Sequence, residues 1–364
     1  MIAELLPIFF FLGLQAISLC LFVLNNLFKI NLLQVPVWPF WMTLAGTLIY
    51  FSSKRSKFVL VTLILSVLFS LPAFWYPVTD WDAVTLFDFR AKILMQTGQI
   101  SDVLFRAKIS EYPLFTSLIH FFIFRSNISS PMPLYALVYL FFGLHLYSLF
   151  HRSLNVRTSL LFSLVILLAP KLFEHSLIAY TNLPYTIYLI IGTFYLYIWT
   201  NNHRRADILL GIMFCLSTFW IRGFPFGIIP IFVAVATRIK SRKIISAILL
   251  LGGLMAIYRF WPVNIKLLLE VLDFIKWGVI KYYFPYPLIF VLTLIYQIRA
   301  RAKNWFMPAT ILGFWAAIIL GNYHYALTDP VFARIPDALQ RTVMFINPAI
   351  SLYFVLLSTN KSKT

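Results

Sequence analysis

The chain has 364 residues, of which 61% are hydrophobic and only 12% charged. A soluble domain carries about 45–50% apolar and about 25% charged residues, so composition excludes a water-soluble globular fold and indicates an all-α integral membrane protein. The formal charge of +18 does not indicate nucleic acid, because the basic residues sit in short segments between apolar runs.

A membrane span needs about 20 mostly apolar residues, fewer when a short helix is buried among others. In chain order there are twelve candidates: about 2–24, 36–52, 57–76, 131–150, 157–171, 183–200, 206–220, 224–238, 243–261, 284–298, 304–321 and 341–358. The first contains Glu4 and lacks a basic leading region and a small-residue cleavage site. It is expected to be a retained helix, not a signal peptide. Cys20 and Cys215 both lie inside apolar runs, which argues against a disulfide framework or a thiolate metal site. The expected architecture is a single transmembrane domain of about twelve helices: an N-terminal hairpin (1–56) followed by a core (57–364).

Basic residues cluster at Lys54/Arg55/Lys57, Arg152/Arg157, Arg204/Arg205, Arg238/Lys240/Arg242/Lys243, Arg299/Arg301/Lys303 and Lys361/Lys363. With twelve spans every cluster falls on one side. The positive-inside rule makes that side cytoplasmic, with both termini inside a plasma (inner) membrane. The acids sort the other way, and only Glu4 and Asp207 fall on the cytoplasmic side. Acidic residues contribute little to topology, so their placement points either to a catalytic or binding surface on the outer face or to ordinary solvation of the longer outer loops.

The third and fourth spans flank an outer loop, 77–130. It holds Asp80, Asp82, Asp88, Asp102 and Glu111, five of only twelve acidic residues. Carboxylates are costly near lipid, so such a cluster beside a span is a candidate functional site. Two short helices are predicted here, one near 83–96 ending at Gly98 and one near 113–125 starting at Pro113. The stretch FTSLIHFFIF (115–124) is too short to cross. A crossing there would also put Arg152 and every later cluster outside. It is therefore expected to lie in the outer interface, flanked by Tyr112 and Arg125. Later outer segments are 172–182, a tight turn at 221–223, a surface helix at 262–283 carrying Lys266, Glu270, Asp273, Lys276 and Lys281, and a loop at 322–340.

An aspartate held just outside the bilayer can act as general base toward an incoming hydroxyl. Asp82 is the candidate, and a simple N-cap is the plainer role for it. Asp88 and Lys92 stand four apart, the spacing of a helix-surface ion pair, which leaves Arg90 to meet a phosphate. Asp80 and Asp82 have the D-x-D spacing used for divalent metal, a match common by chance, so a metal is not indicated and no cofactor is expected. The six histidines show no ligand spacing, and Asn127-Ile128-Ser129 is a chance-level glycosylation sequon. Trp75, Tyr76 and Trp261 sit near span ends, as an interfacial belt requires. Arg222 and Arg341 also have the plain role of snorkelling at the outer interface.

The string WDAVTLFDFRAKILMQTG, followed by EYPLF, resembles the first outer loop of polytopic glycosyltransferases of the GT-C superfamily, in particular the bacterial and archaeal relatives of dolichyl-phosphate-mannose–protein mannosyltransferases. The residues that carry the likeness are Trp81-Asp82-Ala83, Arg90-Ala91-Lys92, Gly98 and Tyr112-Pro113-Leu114. Further matches are Ala169-Pro170, Tyr180-Thr181-Asn182-Leu183-Pro184, Phe219-Trp220-Ile221-Arg222, and Leu339-Gln340-Arg341 with Pro348. They cover the chain from about 57 onward. The resemblance implies transfer of a sugar from a polyprenyl-phosphate donor to a glycan, lipid or protein acceptor on the outer face. It makes Asp82 the base and offers Arg90, Lys92, Arg222 and Arg341 to the lipid phosphate. Asp80 and Tyr112 join them as substrate-side residues. The family's second loop usually carries Asp where this chain has Asn182, which cannot act as a base but can hydrogen-bond a hydroxyl. Glu174 is the nearby carboxylate.

A transporter or flippase of lipid-linked substrates is the alternative, and it should place ionisable or helix-breaking residues near the bilayer midplane. The predicted span centres are nearly free of charge. A polysaccharide polymerase or ligase of another fold would lack the WDA-then-YPL order, and nothing specific speaks for a non-catalytic scaffold.

Overall fold

A computed structural model describes residues 2–54, 56–106, 112–152, 154–169, 171–223, 225–238, 264–301, 304–328 and 344–360. The expected span 243–261 and Arg341 fall outside the described residues. Helices account for all the regular structure among those described. Among the described residues, four helical stretches are long and apolar enough to cross a membrane: Leu5–Asn26, Met132–Phe150, Asn182–Asn202 and Phe306–His324. These are features of a helical membrane protein. The chain divides into two compact units. One comprises Met1–Leu168, Leu172–Ile187 and Phe219–Gly223; the other comprises Ala169–Lys171, Tyr188–Thr218 and Phe224–Thr364.

The first unit contains α1 (Ile2–Asn26), α2 (Trp38–Lys54), α3 (Ser56–Phe74), a π-helical turn (Ala83–Asp88), α4 (Phe89–Thr97), α5 (Ile100–Arg106), α6 (Phe115–Arg125), α7 (Met132–Phe150), α8 (Val156–Leu167) and a 3-10 turn (Glu174–Leu177). α7 packs against α1, α3 and α8. The N-terminal segment is tied into the loop beyond α4. Asn25 Nδ2 donates to the Gly98 carbonyl (3.1 Å), and its Oδ1 accepts from the Ile100 N–H (2.8 Å). Trp220 Nε1 donates to Ser18 Oγ on α1 at 2.9 Å, across 202 positions of sequence.

Gly98 ends α4 as the spacing predicts. It sits at φ +67°, and its N–H donates to the Leu94 carbonyl at 2.8 Å. A Cβ there would stand 1.8 Å from Asn31 Oδ1. That oxygen accepts from the Leu33 N–H at 2.8 Å, while Asn31 Nδ2 donates to the Thr97 carbonyl at 3.1 Å. Both the left-handed backbone and the close approach therefore require glycine.

The expected placement of α6 is overturned. α6 does not lie along a surface, because every residue from Phe115 to Ile123 is buried. It packs on α1, α4 and the π turn. A helix covered on every face belongs to a packed core, whereas an interfacial helix keeps one wet face.

The second unit holds the larger parts of α9 (Asn182–Asn202) and α10 (Arg205–Arg222), then α11 (Ile228–Ala236), α12 (Ile265–Tyr283), α13 (Pro285–Arg299), α14 (Phe306–Thr328) and α15 (Ile346–Asn360). α14 packs against α11, α12 and α15, and α13 packs against α15. α9 and α10 meet almost backbone to backbone. A Cβ on Gly192 would stand 2.6 Å from Cys215 Sγ, and one on Gly211 would stand 2.7 Å from Leu196 Cγ. Small residues permit this approach where lipid gives helices no hydrophobic drive to associate.

α12 is the helix that the charges at 262–283 predict. Val271 and Ile275 are buried one turn apart, Lys266, Glu270, Asp273 and Lys276 are exposed, and Asn264 Oδ1 caps the Leu267 N–H at 3.1 Å. The segment 322–328 is not loop, since α14 continues through Thr328. The turn expected at 221–223 is the end of α10, closed by Gly223 at φ +76° with its N–H donating to the Phe219 carbonyl at 2.9 Å.

Candidate functional site

Residues from three separate candidate segments meet on one aromatic side chain. Tyr180 donates its hydroxyl hydrogen to Asp82 Oδ2 at 3.0 Å. Its ring makes an edge contact with Phe87 (5.3 Å between centroids), and the Arg222 guanidinium carbon stands 5.8 Å over it. Phe87 in turn makes an edge contact with Tyr112 (6.2 Å). Leu86, Phe87 and Tyr180, with Tyr112 and Ile178, form one apolar cluster. The first loop thus supplies Asp82, Phe87 and Tyr112, the second supplies Tyr180, and the end of α10 supplies Arg222. A guanidinium over a ring face is held by the ring quadrupole, more strongly where water is excluded. Arg222 is 8% exposed.

Asp82 opens the π turn, yet its side chain makes no capping bond to the turn's N–H groups. Its carboxylate is half-buried and turned toward Tyr180. The plain N-cap role therefore does not hold. Trp81 beside it is exposed, and Asp80 is half-buried with its carbonyl accepting from the Val84 N–H at 3.0 Å. π-helical turns are rare and concentrate at functional sites.

Arg90 is 1% exposed. Its Nη1 donates to the Tyr112 carbonyl at 2.9 Å, while Nε and Nη2 are buried with no hydrogen-bond partner among the described residues. A guanidinium in this state is poised to take an anion, because its planar fork offers oxygen acceptors two parallel N–H groups. Lys92, two positions on, is exposed to solvent, unlike Arg90.

The Asp88–Lys92 pair expected from their spacing does not form. Asp88 is buried, and His120 Nδ1 stands 2.7 Å from its Oδ1. The other ring nitrogen, Nε2, stands 2.8 Å from the Tyr135 hydroxyl. With Nδ1–H donating to the carboxylate, Nε2 accepts from Tyr135. The spacing rule for helix surfaces assumes both side chains reach water, and Asp88 faces inward.

In the second loop Glu174 lies on the exposed side of the 3-10 turn. Its neighbour His175 is buried, with its ring centroid 6.3 Å from that of Tyr180. Asn182, where the resembling family has Asp, is fully buried, and neither its amide oxygen nor its nitrogen has a hydrogen-bond partner among the described residues. Thr181 Oγ1 beside it is in the same state. Buried polar atoms without partners are rare in folded proteins, and here they fall in a segment the sequence motifs single out.

Tyr180 and His120 carry the arrangement, and sequence reasoning gives neither a role. Tyr180 stands inside one of the motifs. His120 stands inside an apolar run with its partner 32 positions away. Among the described residues no three His, Cys, Asp or Glu side chains gather as a metal site would require. The chain matches no protein-family model, and no curated protein or solved structure matches it.

Proposed function

We propose that the protein is a membrane glycosyltransferase with about twelve spans, both termini cytoplasmic, that moves a sugar from a polyprenyl-phosphate donor to an acceptor on the outer face. The observation that supports this most directly is the meeting of Asp82, Tyr180 and Arg222, a carboxylate and a cation from separate segments on one aromatic side chain. In this reading Tyr180 fixes the direction of the Asp82 carboxylate. Asp82 takes the proton of the acceptor hydroxyl as its oxygen attacks the anomeric carbon. The bond from that carbon to the phosphate oxygen breaks, and its electron pair leaves on the polyprenyl phosphate. Fixed cations that meet this developing charge lower the barrier. Arg90 and Arg222 are described cations that touch this cluster. Asn182 is the hydrogen-bonding group two positions from Tyr180, suited to orienting a hydroxyl.

The test uses the full chain in nanodiscs. Undecaprenyl phosphate is the binding probe, read by native mass spectrometry. Transfer is followed with a panel of undecaprenyl-phosphoryl hexoses and pentoses against membrane-extracted acceptors. Asp82→Asn should leave probe binding intact and lower transfer by about 10²–10⁴-fold, the range for a positioned base. Full activity in that variant removes Asp82 as the base. Absence of both probe binding and release across the panel removes the reading itself.

A further inference from the structure

The chain Asp88–His120–Tyr135 crosses from the π turn through α6 to α7, and all three side chains are buried. An ionisable pair inside an apolar core costs several kcal/mol of desolvation that excellent geometry only balances. The best-attested use of such groups is to fix register. The element they reach is one whose register is uncommon. In the turn 83–88 the Phe89 N–H points to both the Val84 and the Leu86 carbonyls, and relaxation to α-helical winding would rotate the residues before the turn relative to those after it. Asp82 lies before the turn and Arg90 after it. Both now address the same aromatic trio, Asp82 through the Tyr180 hydroxyl and Arg90 through the Tyr112 carbonyl, with Phe87 between the two rings. The turn is held at its start by Tyr180 and in its middle by Phe87. Its end is held by His120, whose Nδ1 stands 2.7 Å from Asp88 Oδ1.

We propose that His120, acting through Asp88 and braced by Tyr135, is a positioning residue that holds the π register of 83–88 and so keeps Asp82 and Arg90 on one aromatic cluster. Its consequence for transfer rests on the glycosyltransferase reading; the register claim does not.

Side-chain mimicry separates the two arms of the network. Asparagine carries an amide nitrogen where imidazole has Nδ1, and glutamine carries one where it has Nε2. The experiment is hydrogen–deuterium exchange on the full chain in nanodiscs, with melting temperature measured in parallel. In His120→Gln, amides of 83–90 should exchange about tenfold faster, as loss of a buried charge-assisted hydrogen bond implies. Amides of α1 and α7 should stay unchanged. His120→Asn should restore slow exchange, and Tyr135→Phe should have a smaller effect of the same kind. Unchanged exchange at 83–90 in His120→Gln overturns the proposal, as does failure of His120→Asn to restore it. A uniform rise through α6 and α7 in all three variants also overturns it, because it marks ordinary core packing. Tyr135→Phe loses only one hydroxyl, so it keeps the test open if His120→Gln fails to insert. If the wild type transfers sugar, His120→Gln should lower kcat by about 10²-fold, the effect of a misplaced reacting group, and His120→Asn should recover it. A wild type with the expected exchange pattern but no transfer retires the enzymatic reading and leaves the register assignment standing.

Discussion

Arg90 is the residue whose situation most needs a reason. Burial lowers its pKa from the ordinary value, with Tyr112 acting in the opposite direction. An arginine starts so far above neutral pH that the guanidinium stays charged. A buried cation with one backbone acceptor is a poor stabiliser, and replacing such a group by an apolar side chain of similar volume is often neutral or favourable. Arg90→Met should therefore leave the melting temperature unchanged or raise it, while weakening undecaprenyl phosphate binding about tenfold or more, the loss expected for hydrogen bonds to a charged group. A fall in melting temperature with unaltered binding would make Arg90 a structural residue only. At this scale the sequence showed Asp82, Arg90, Tyr112 and Arg222, because each stood in a short motif of polar residues amid apolar ones. It misplaced Asp88, since a spacing of four describes a helix surface and says nothing about which face is buried. His120 was passed over because its partners come from other elements, and only the fold brings them within 3 Å.

The elements around the site depend on a few backbone positions. Gly98 combines a positive φ with side-chain contact from Asn31. Gly98→Ala should destabilise the first unit by about 1–3 kcal/mol, the cost of a non-glycine residue held in a sparsely populated conformation, with more added by the clash. A thermal or denaturant titration in detergent measures it, and a change below a few tenths of a kcal/mol would show that the α4 end can relax. Helix ends and lengths were legible where apolar runs were bounded by caps or glycine, as at α7, α12 and Gly98. Two elements were not. Length and the basic clusters place α6 at the interface, but neither says which neighbours cover it, and its buried face includes Thr116, Ser117 and His120. α14 runs past the point where its hydropathy fades, because Asn322, Tyr323 and His324 continue the helix and Tyr323 is buried, its hydroxyl accepting from the Asn264 N–H at 2.8 Å. The π winding of 83–88 has no sequence signature, since it is fixed by contacts at its two ends.

At the scale of the whole molecule the charge distribution makes the clearest prediction. If the positive-inside assignment is right, a cysteine at Trp81, which is exposed, should react with a membrane-impermeant maleimide on intact cells. One at Arg204, also exposed, should react only after permeabilisation. Both are placed in a Cys20→Ser, Cys215→Ala background. The reverse pattern would put the Asp82 cluster on the cytoplasmic side and end the proposal of an outer-face enzyme. Composition alone was enough to indicate a helical membrane protein, but the division into two compact units was not legible, because long-range packing rather than any linker or change of composition defines it.

The bond from Trp220 to Ser18 also sets a timetable. A ribosome adding roughly 5–20 residues per second needs about 10–40 s to travel the 202 positions between these partners. α1 must wait that long in the nascent chain before this neighbour exists. Biogenesis of this unit therefore ends late, and a stall anywhere before residue 220 leaves the first-made helix without this contact.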